Sequence, residues 1–207
     1  FLSKNIVFSL LACLFSSIII AQNGKLKVVL DAGHGGKDIG ATYHGYVEKN
    51  IALSVGLKVG KILEKENGID VVYTRKTDVF VELIERANFA NRVKANLFVS
   101  IHCNGVRDNS AYGTETFVMG LTRNAMNLEI AKKENQVIEL EKDYKSTYKG
   151  FDPKAPESTL GVSVYKEEYL EHSINVAGRI EQNFKNDLKM KSRGVKLLGY
   201  AVKQIFS

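Results

Sequence analysis

Two apolar runs in this chain each stop in a polar loop that carries a histidine. Val28-Val29-Leu30 runs into Asp31-Ala32-Gly33-His34-Gly35-Gly36-Lys37-Asp38, and Leu97-Phe98-Val99-Ser100-Ile101 runs into His102-Cys103-Asn104-Gly105. Short apolar runs closed by glycine-rich segments read as buried strands that end in loops. Between them, Glu48 opens a stretch with helical spacing. Open parallel sheets collect ligands beyond the carboxyl ends of their strands. Two imidazoles and one carboxylate at the ends of separate elements are the donor set of a catalytic zinc, which takes three protein ligands and keeps one position for water.

The rest of residues 26–118 alternates in the same way. Lys27–Leu30, Ile69–Thr74, Leu97–Ile101 and Gly113–Met119 read as strands. Glu48–Lys65 reads as a helix with Ile51, Val55, Val59 and Ile62 along its apolar face, closed by Asn67-Gly68. Val81–Lys94 reads as a second helix, with Leu83, Ala87, Ala90 and Val93 at three- and four-residue steps. Strands alternating with helices predict an α/β fold, a central sheet with helices on both faces. From Leu121 to about 165 the texture changes. Asn124–Tyr144 is a charged helical stretch, and Ser146–Leu160, with both prolines, reads as a loop. This 121–165 segment is expected to be an insertion. Lys166–Lys189 reads as a long helix with Tyr169, Val176, Ile180 and Phe184 on one side, and Gly194–Val202 as a last strand.

Each candidate residue has an ordinary alternative. A lone histidine after a strand is commonly a polar loop residue, and Glu48 alone could be a charge stabilised by a helix N-terminus. Gly33, Gly35 and Gly36 permit close approach to a ligand, and a phosphate cradle is the rival use of such glycines. That reading needs a G-x-G-x-x-G or G-x-x-x-x-G-K-[ST] pattern, which this stretch lacks. Thirteen residues separate His34 from Glu48, and His102 lies further still, unlike the tight local ligand pairs of structural zinc sites. In extended chain His102 and Asn104 share a face and Cys103 takes the other, so Asn104 is the candidate for substrate contact. His44 and His172 read as surface or packing residues.

The N-terminal residues are of another kind. Lys4 precedes an almost wholly apolar stretch from Ile6 to Ile20, followed by Ala21-Gln22. At about 15 residues it is short for a membrane span, and 1–21 reads as a secretory signal peptide cleaved after Ala21. Leu10-Leu11-Ala12-Cys13 is a weaker lipoprotein-type alternative. The lack of an initiator Met suggests an incomplete N-terminal end. With the leader removed, Cys103 is the single cysteine, so no internal disulfide is expected. The net charge of +6 suits an anionic cell-wall polymer. With no dense basic stripe and no nucleic-acid motif, nucleic acid is not expected as a partner, and contact with a membrane is expected only through the leader.

Taken together, Val29-Leu30-Asp31-Ala32-Gly33-His34-Gly35-Gly36, Glu48-Lys49-Asn50, Thr74-Arg75, Glu85-Arg86-Ala87-Asn88, Ser100-Ile101-His102-Cys103-Asn104 and Arg193-Gly194-Val195-Lys196 closely resemble the zinc-dependent N-acetylmuramoyl-L-alanine amidases of the amidase_3 group. The resemblance implies a mostly parallel sheet flanked by helices over residues 25–207. It implies Zn2+ held by His34, Glu48 and His102, and hydrolysis of the amide between N-acetylmuramic acid and L-alanine of peptidoglycan in the periplasm or cell envelope. Family members carry a general-base glutamate on a terminal strand after the Arg-Gly-Val-Lys segment. Residues 199–207 contain no match to it, so the catalytic base is unassigned and the C-terminal end is expected to be incomplete. The alternative is a zinc-retaining, catalytically impaired peptidoglycan-binding or regulatory protein. In some relatives an inhibitory helix covers the zinc from the region matching Asn124–Tyr144, which here holds Glu129, Glu134, Glu139 and Glu141. Such a helix implies an activator protein acting on 121–165, although a solvated charged helix explains the same glutamates.

Overall fold

The computed structural model describes residues 24–104, 112–119, 125–148 and 167–198. The expected leader at 1–21, most of the expected 146–160 loop and the segment after 198 lie outside them. Strand β1 (Leu26–Ala32) is followed by a small hairpin, β2 (Thr42–Tyr43) and β3 (Tyr46–Val47), and then by α1 (Glu48–Leu63). Next come β4 (Ile69–Tyr73), α2 (Leu83–Arg92), β5 (Leu97–Ile101) and β6 (Thr114–Met119). The second half holds α3 (Ala125–Asn135), a 3-10 turn (Gln136–Leu140), α4 (Tyr144–Thr147), α5 (Glu167–Asn186) and β7 (Ser192–Leu198).

A three-stranded parallel sheet holds β1 between β4 and β5, β6 and β7 form a separate parallel pair, and the β2–β3 hairpin is antiparallel. The register sets Ala32 opposite Ile101, so the loops holding His34 and His102 leave adjacent strands at the same edge. β1 is nearly all β-branched or leucine from Val28 to Leu30, as a strand covered on both faces should be. Val29 packs under Ala90 and Ala95 with Val72, Phe89, Val93 and Phe98 around them, which places α2 on one face. Gly56 of α1 lies against Ala32 and Ile101 on the other.

That contact corrects the expected face of α1. Ile51 and Val55 are more than a third exposed and Ile62 is 63% exposed, whereas Ala52, Gly56 and Gly60 are buried. The reason is steric: a Cβ on Gly60 would come within 1.8 Å of the Tyr73 hydroxyl. The helix approaches the sheet through its smallest residues, and the larger apolar side chains turn outward. The apolar side expected for α5 is displaced likewise: Ala177 and Glu181 are buried, while Tyr169 and Val176 are exposed. Glu181 is tolerated there because its carboxylate accepts hydrogen bonds from Thr114, Thr116 and Ser192 hydroxyls. The single helical stretch expected over Asn124–Tyr144 is divided, passing from α3 into the 3-10 turn and breaking at Asp143, which has φ 56°.

Candidate metal centre

His34 follows β1 with its backbone at φ 60°, a left-handed conformation that a non-glycine residue adopts only under constraint. The constraint comes from two buried arginines. Arg75 donates to the carbonyls of Ala32 and Gly33, and Arg86 to those of Ala32 and His34. Arg86 also pairs at 2.6 Å with Asp31, whose carboxylate receives the Thr74 and Ser100 hydroxyls as well. Burial alone would raise the Asp31 carboxyl; Arg86 and these donors outweigh it and hold it below its usual range. Gly33 leaves room for the His102 ring, since a Cβ there would meet it at 2.4 Å.

Glu48 is the first residue of α1 and is buried. One carboxylate oxygen accepts the Ala41 amide at 2.8 Å and the other the Cys103 amide at 2.7 Å, so the loops on both sides of the site hold its orientation. Asp38 takes the Nδ1 side of His34 at 2.8 Å, directing Nε2 inward. A carboxylate behind an imidazole is the usual support for a metal-ligating histidine.

The three residues expected as ligands converge, and a fourth joins them. Glu134, from α3, is also buried. His34 Nε2 lies 3.2 Å from Glu48 Oε1 and 3.4 Å from Glu134 Oε2. His102 Nδ1 lies 3.3 Å from Glu48 Oε1, 2.9 Å from Glu134 Oε2 and 3.2 Å from His34 Nε2. All four donor atoms fall within 4.8 Å of one another. Tetrahedral ligands about 2.0–2.1 Å from one ion sit ~3.3 Å apart, and the five separations that involve an imidazole, from 2.9 to 3.4 Å, scatter around that value. Glu134 Oε2 makes no hydrogen bond with acceptable geometry although it is fully buried, and two imidazole nitrogens face each other. A cation at the centre of the four would satisfy both.

The electrostatics agree. Burial opposes a charged His34, but Asp38 and Glu48 outweigh it and push the imidazole up to about 9. For His102, burial is outweighed by Glu134 and Glu48, and the value rises to about 10. Burial would raise Glu48, yet His102, His34 and the two amides hold it far below the ordinary carboxylate range. The pocket is anionic enough to demand positive charge, whether protons or a metal ion.

The remaining candidates separate cleanly. Cys103 is exposed and contributes its amide rather than its thiol. Asn104 donates to Glu115 of β6 at 3.3 Å, and Glu115 also receives Lys196 and lies 3.1 Å from Arg193. His44 and His172 are exposed. Glu129 and Glu139 are exposed too, while Glu141 is buried away from the centre, accepting from the Leu83 amide and the Tyr148 hydroxyl. The sequence pattern alone gives Asp38, Asp31 and the two arginines no role, although Asp31, Arg75 and Arg86 lie inside the family-like motifs and Asp38 two residues beyond one; Glu134 is marked only as one of four glutamates in a charged stretch.

A family model described as Amidase_3, N-acetylmuramoyl-L-alanine amidase, matches residues 28–204. Among curated proteins, the endolysin of Bacillus phage SPP1 is 48% identical over 91 residues, covering 44% of this chain and 34% of that protein. The N-acetylmuramoyl-L-alanine amidase AmiA of Escherichia coli is 30% identical over 184 residues, covering 87% of this chain and 62% of that protein. The chain thus spans about a third to three fifths of the length of these two relatives. Among solved structures, the N-acetylmuramoyl-L-alanine amidase AmiC2 of Nostoc punctiforme superposes with a TM-score of 0.52 at 28% identity, covering 87% of this chain and 74% of that one.

Proposed function

The chain belongs to the Amidase_3 family of N-acetylmuramoyl-L-alanine amidases, and from that premise we propose that it hydrolyses the amide joining N-acetylmuramic acid to L-alanine in peptidoglycan, using a zinc ion held by His34, Glu48 and His102. The observation that carries the reading is the convergence of the donor atoms of His34, Glu48, His102 and Glu134 to within 4.8 Å of one another at the carboxyl edge of a parallel sheet. When bound, the ion supplies Lewis-acid polarisation of the scissile carbonyl and acidifies a water molecule.

The chain's own residues do the rest. Asp38 fixes the tautomer and ring plane of His34, and the amides of Ala41 and Cys103 fix Glu48. Glu134 occupies the fourth position, the one an active site leaves for water. We therefore read this arrangement as a closed form that opens when α3 withdraws, and an activator protein acting on the 121–165 segment is the partner such a device needs. Asn104 is the residue we assign to substrate contact, with Glu115 holding it. Burial works to raise the Glu115 carboxyl, but Lys196, Asn104 and Arg193 outweigh it and lower it. A carboxylate so stabilised is a weak proton acceptor, so Glu115 is a positioning residue rather than a base. The lysine and apolar stretch of residues 1–21 support export to the periplasm or cell envelope. Among the described residues no helix is long and apolar enough to cross a membrane.

The test is metal content together with the bond cut. The purified 207-residue chain should take up one zinc per molecule, keep it in Cys103→Ser and lose it in His102→Ala. Digests of peptidoglycan should gain free L-alanine amino groups with the metal present and not after chelation. New reducing sugar ends without new amino groups would move the cut to the glycan and refute the reading.

A further inference from the structure

The β2–β3 hairpin grows directly out of the metal-centre wall. Glu48 donates its amide to the Ala41 carbonyl while its carboxylate receives the Ala41 amide, so the base of the hairpin is clamped by a ligand residue. Gly40, with φ 67°, lies so close that a Cβ there would sit 2.6 Å from the His34 ring and 2.9 Å from Glu48 Cβ. From that base Thr42 pairs with Val47 and Tyr43 with Tyr46. The turn between them, His44-Gly45, has φ of 47° and 81°. Positive φ at both central residues is what the tightest two-residue hairpin turn requires, and it matches the twist of the strands. The tip is therefore a defined structure and not a loose loop.

Its side chains are unusual for that position. Tyr43 is 56% exposed and Tyr46 68% exposed. As directly paired residues they lie on one face of the ribbon, with Cβ atoms about 5 Å apart. Tyr43 is further braced by the His44 ring, edge-on at 4.1 Å between centroids. Thr42, Tyr43 and Tyr46 are all exposed and only Val47 is half-buried, so these tyrosines add little to folding. Rigid aromatic rings left in water beside a functional cleft mark a contact surface, because each presents an apolar body and a hydrogen-bonding tip at low entropic cost. Tyr43 stands two residues beyond Ala41, roughly 7 Å along the strand, within reach of whatever flanks the scissile bond.

We propose that Tyr43 and Tyr46 form a stacking platform for a pyranose ring of the glycan strand. The inference rests on the amidase reading, in which one side of the scissile bond is a sugar and the other a peptide. Chemistry selects the sugar side. A pyranose offers a face of C–H groups to an aromatic ring and a rim of hydroxyls to the tyrosine oxygens. The stem peptide offers carboxylates, and Ala41–Val47 contains no lysine or arginine to receive them.

The test is a calorimetric titration of the zinc-loaded protein with soluble, peptide-free strands of alternating N-acetylglucosamine and N-acetylmuramic acid, which contain no amide for it to cut. The parent chain should bind, and Tyr43→Ala/Tyr46→Ala should bind about tenfold more weakly, the usual cost of removing an aromatic anchor. Tyr43→Phe/Tyr46→Phe should keep most of the affinity because the rings remain. Zinc uptake by the alanine variant reports whether the hairpin base is intact; if it is lost, Tyr46→Ser alone replaces the double variant. Parent and alanine variant binding alike, or competition by free stem peptide in place of glycan, would overturn the platform. A Glu134→Ala chain that keeps its zinc and binds glycan but frees no L-alanine amino groups would sink the amidase reading and leave the platform standing. One that frees them while Tyr43→Ala/Tyr46→Ala binds undiminished would do the reverse.

Discussion

The candidate metal centre draws on two regions built on opposite principles. The sheet edge supplies His34, Glu48 and His102 from a frame in which each buried charge is matched. Asp31 receives Arg86 and two hydroxyls, and Arg75 and Arg86 are spent on backbone carbonyls of the same loop. The 125–148 segment supplies only Glu134, and supplies it with loose ends. Glu134 Oε2 and its neighbour Asn135 Oδ1 are buried without a hydrogen-bond partner. The segment is fastened elsewhere: Ile138 and Tyr148 pack on Leu83, Ile84 and Tyr144, and Glu141 and Tyr148 bond to the amides that open α2. His34, Glu48 and His102 come from strand ends and a helix start locked into the sheet. Glu134 comes from a segment fastened by the Ile138–Tyr148 cluster, by its bonds to the start of α2 and by Lys37 donating to the Leu140 carbonyl, a set of contacts that can open locally below the global unfolding energy.

The comparison breaks first if the sheet edge turns out to be soft. Arg86→Ala leaves Asp31 ionised and buried with two hydroxyls as its remaining polar partners. Removing one partner of a buried pair costs about 3–5 kcal/mol. Urea denaturation of the full chain should show a loss of that size, with zinc uptake falling alongside. A loss under about 1 kcal/mol would mean that the arginine web is ornamental and that the two regions do not differ in kind.

The second test addresses the other side. Glu134→Ala vacates the fourth position while leaving the three sheet-edge ligands in place. Stem-peptide release should rise by about tenfold or more, since each 1.4 kcal/mol of plugging removed is worth a factor of ten. Zinc should still bind one per chain, and global stability should fall by far less than for Arg86→Ala. If the alanine variant instead loses its zinc, Glu134 is a permanent ligand and the distinction collapses.

The same division explains what could be read before the fold was seen. The convergence of His34, Glu48 and His102 was legible because each sits beside a local signal, a strand end or a helix start, and parallel registration brings such ends together. Glu134 was legible only as one of four glutamates in a charged stretch, because which of them reaches the site depends on how Ile138 and Tyr148 dock on α2, and no local periodicity encodes a docking. The α1 error has another origin. Apolar periodicity picks out Ile51, Val55 and Ile62, whereas the sheet required a close approach that only Ala52, Gly56 and Gly60 permit. Size rather than hydropathy chose that face. Arg75 and Arg86 were visible as motif members, but a charged residue that works by bonding to backbone carbonyls has no signature in sequence spacing.

The smallest expected effect lies in the fastening itself. Glu141 accepts the Leu83 amide at 2.7 Å and the Tyr148 hydroxyl at 2.7 Å, with Glu82 and Arg86 the charged groups that face it. Burial raises its carboxyl, and the Leu83 and Tyr148 bonds offset this only in part. A carboxyl raised on docking favours docking while it is protonated. Its contribution is therefore full below the ordinary value of 4.5 and declines as pH rises through the raised one. Hydrogen exchange over residues 125–148 should accelerate across that window in the parent chain, and Glu141→Gln should flatten the dependence. Tyr148→Phe removes two hydrogen bonds, the one its hydroxyl donates to Glu141 and the one it accepts from the Ile84 amide, worth about 1 kcal/mol each, and should speed exchange on the order of tenfold or more at any pH while leaving the sheet edge protected. Tyr148→Phe should raise stem-peptide release, and by less than Glu134→Ala, because it loosens the fastening without removing the carboxylate that fills the site, whereas Glu141→Gln, which keeps the neutral form that favours docking, should not raise it. Activation by Tyr148→Phe equal to that by Glu134→Ala would locate the plug in the fastening rather than in Glu134.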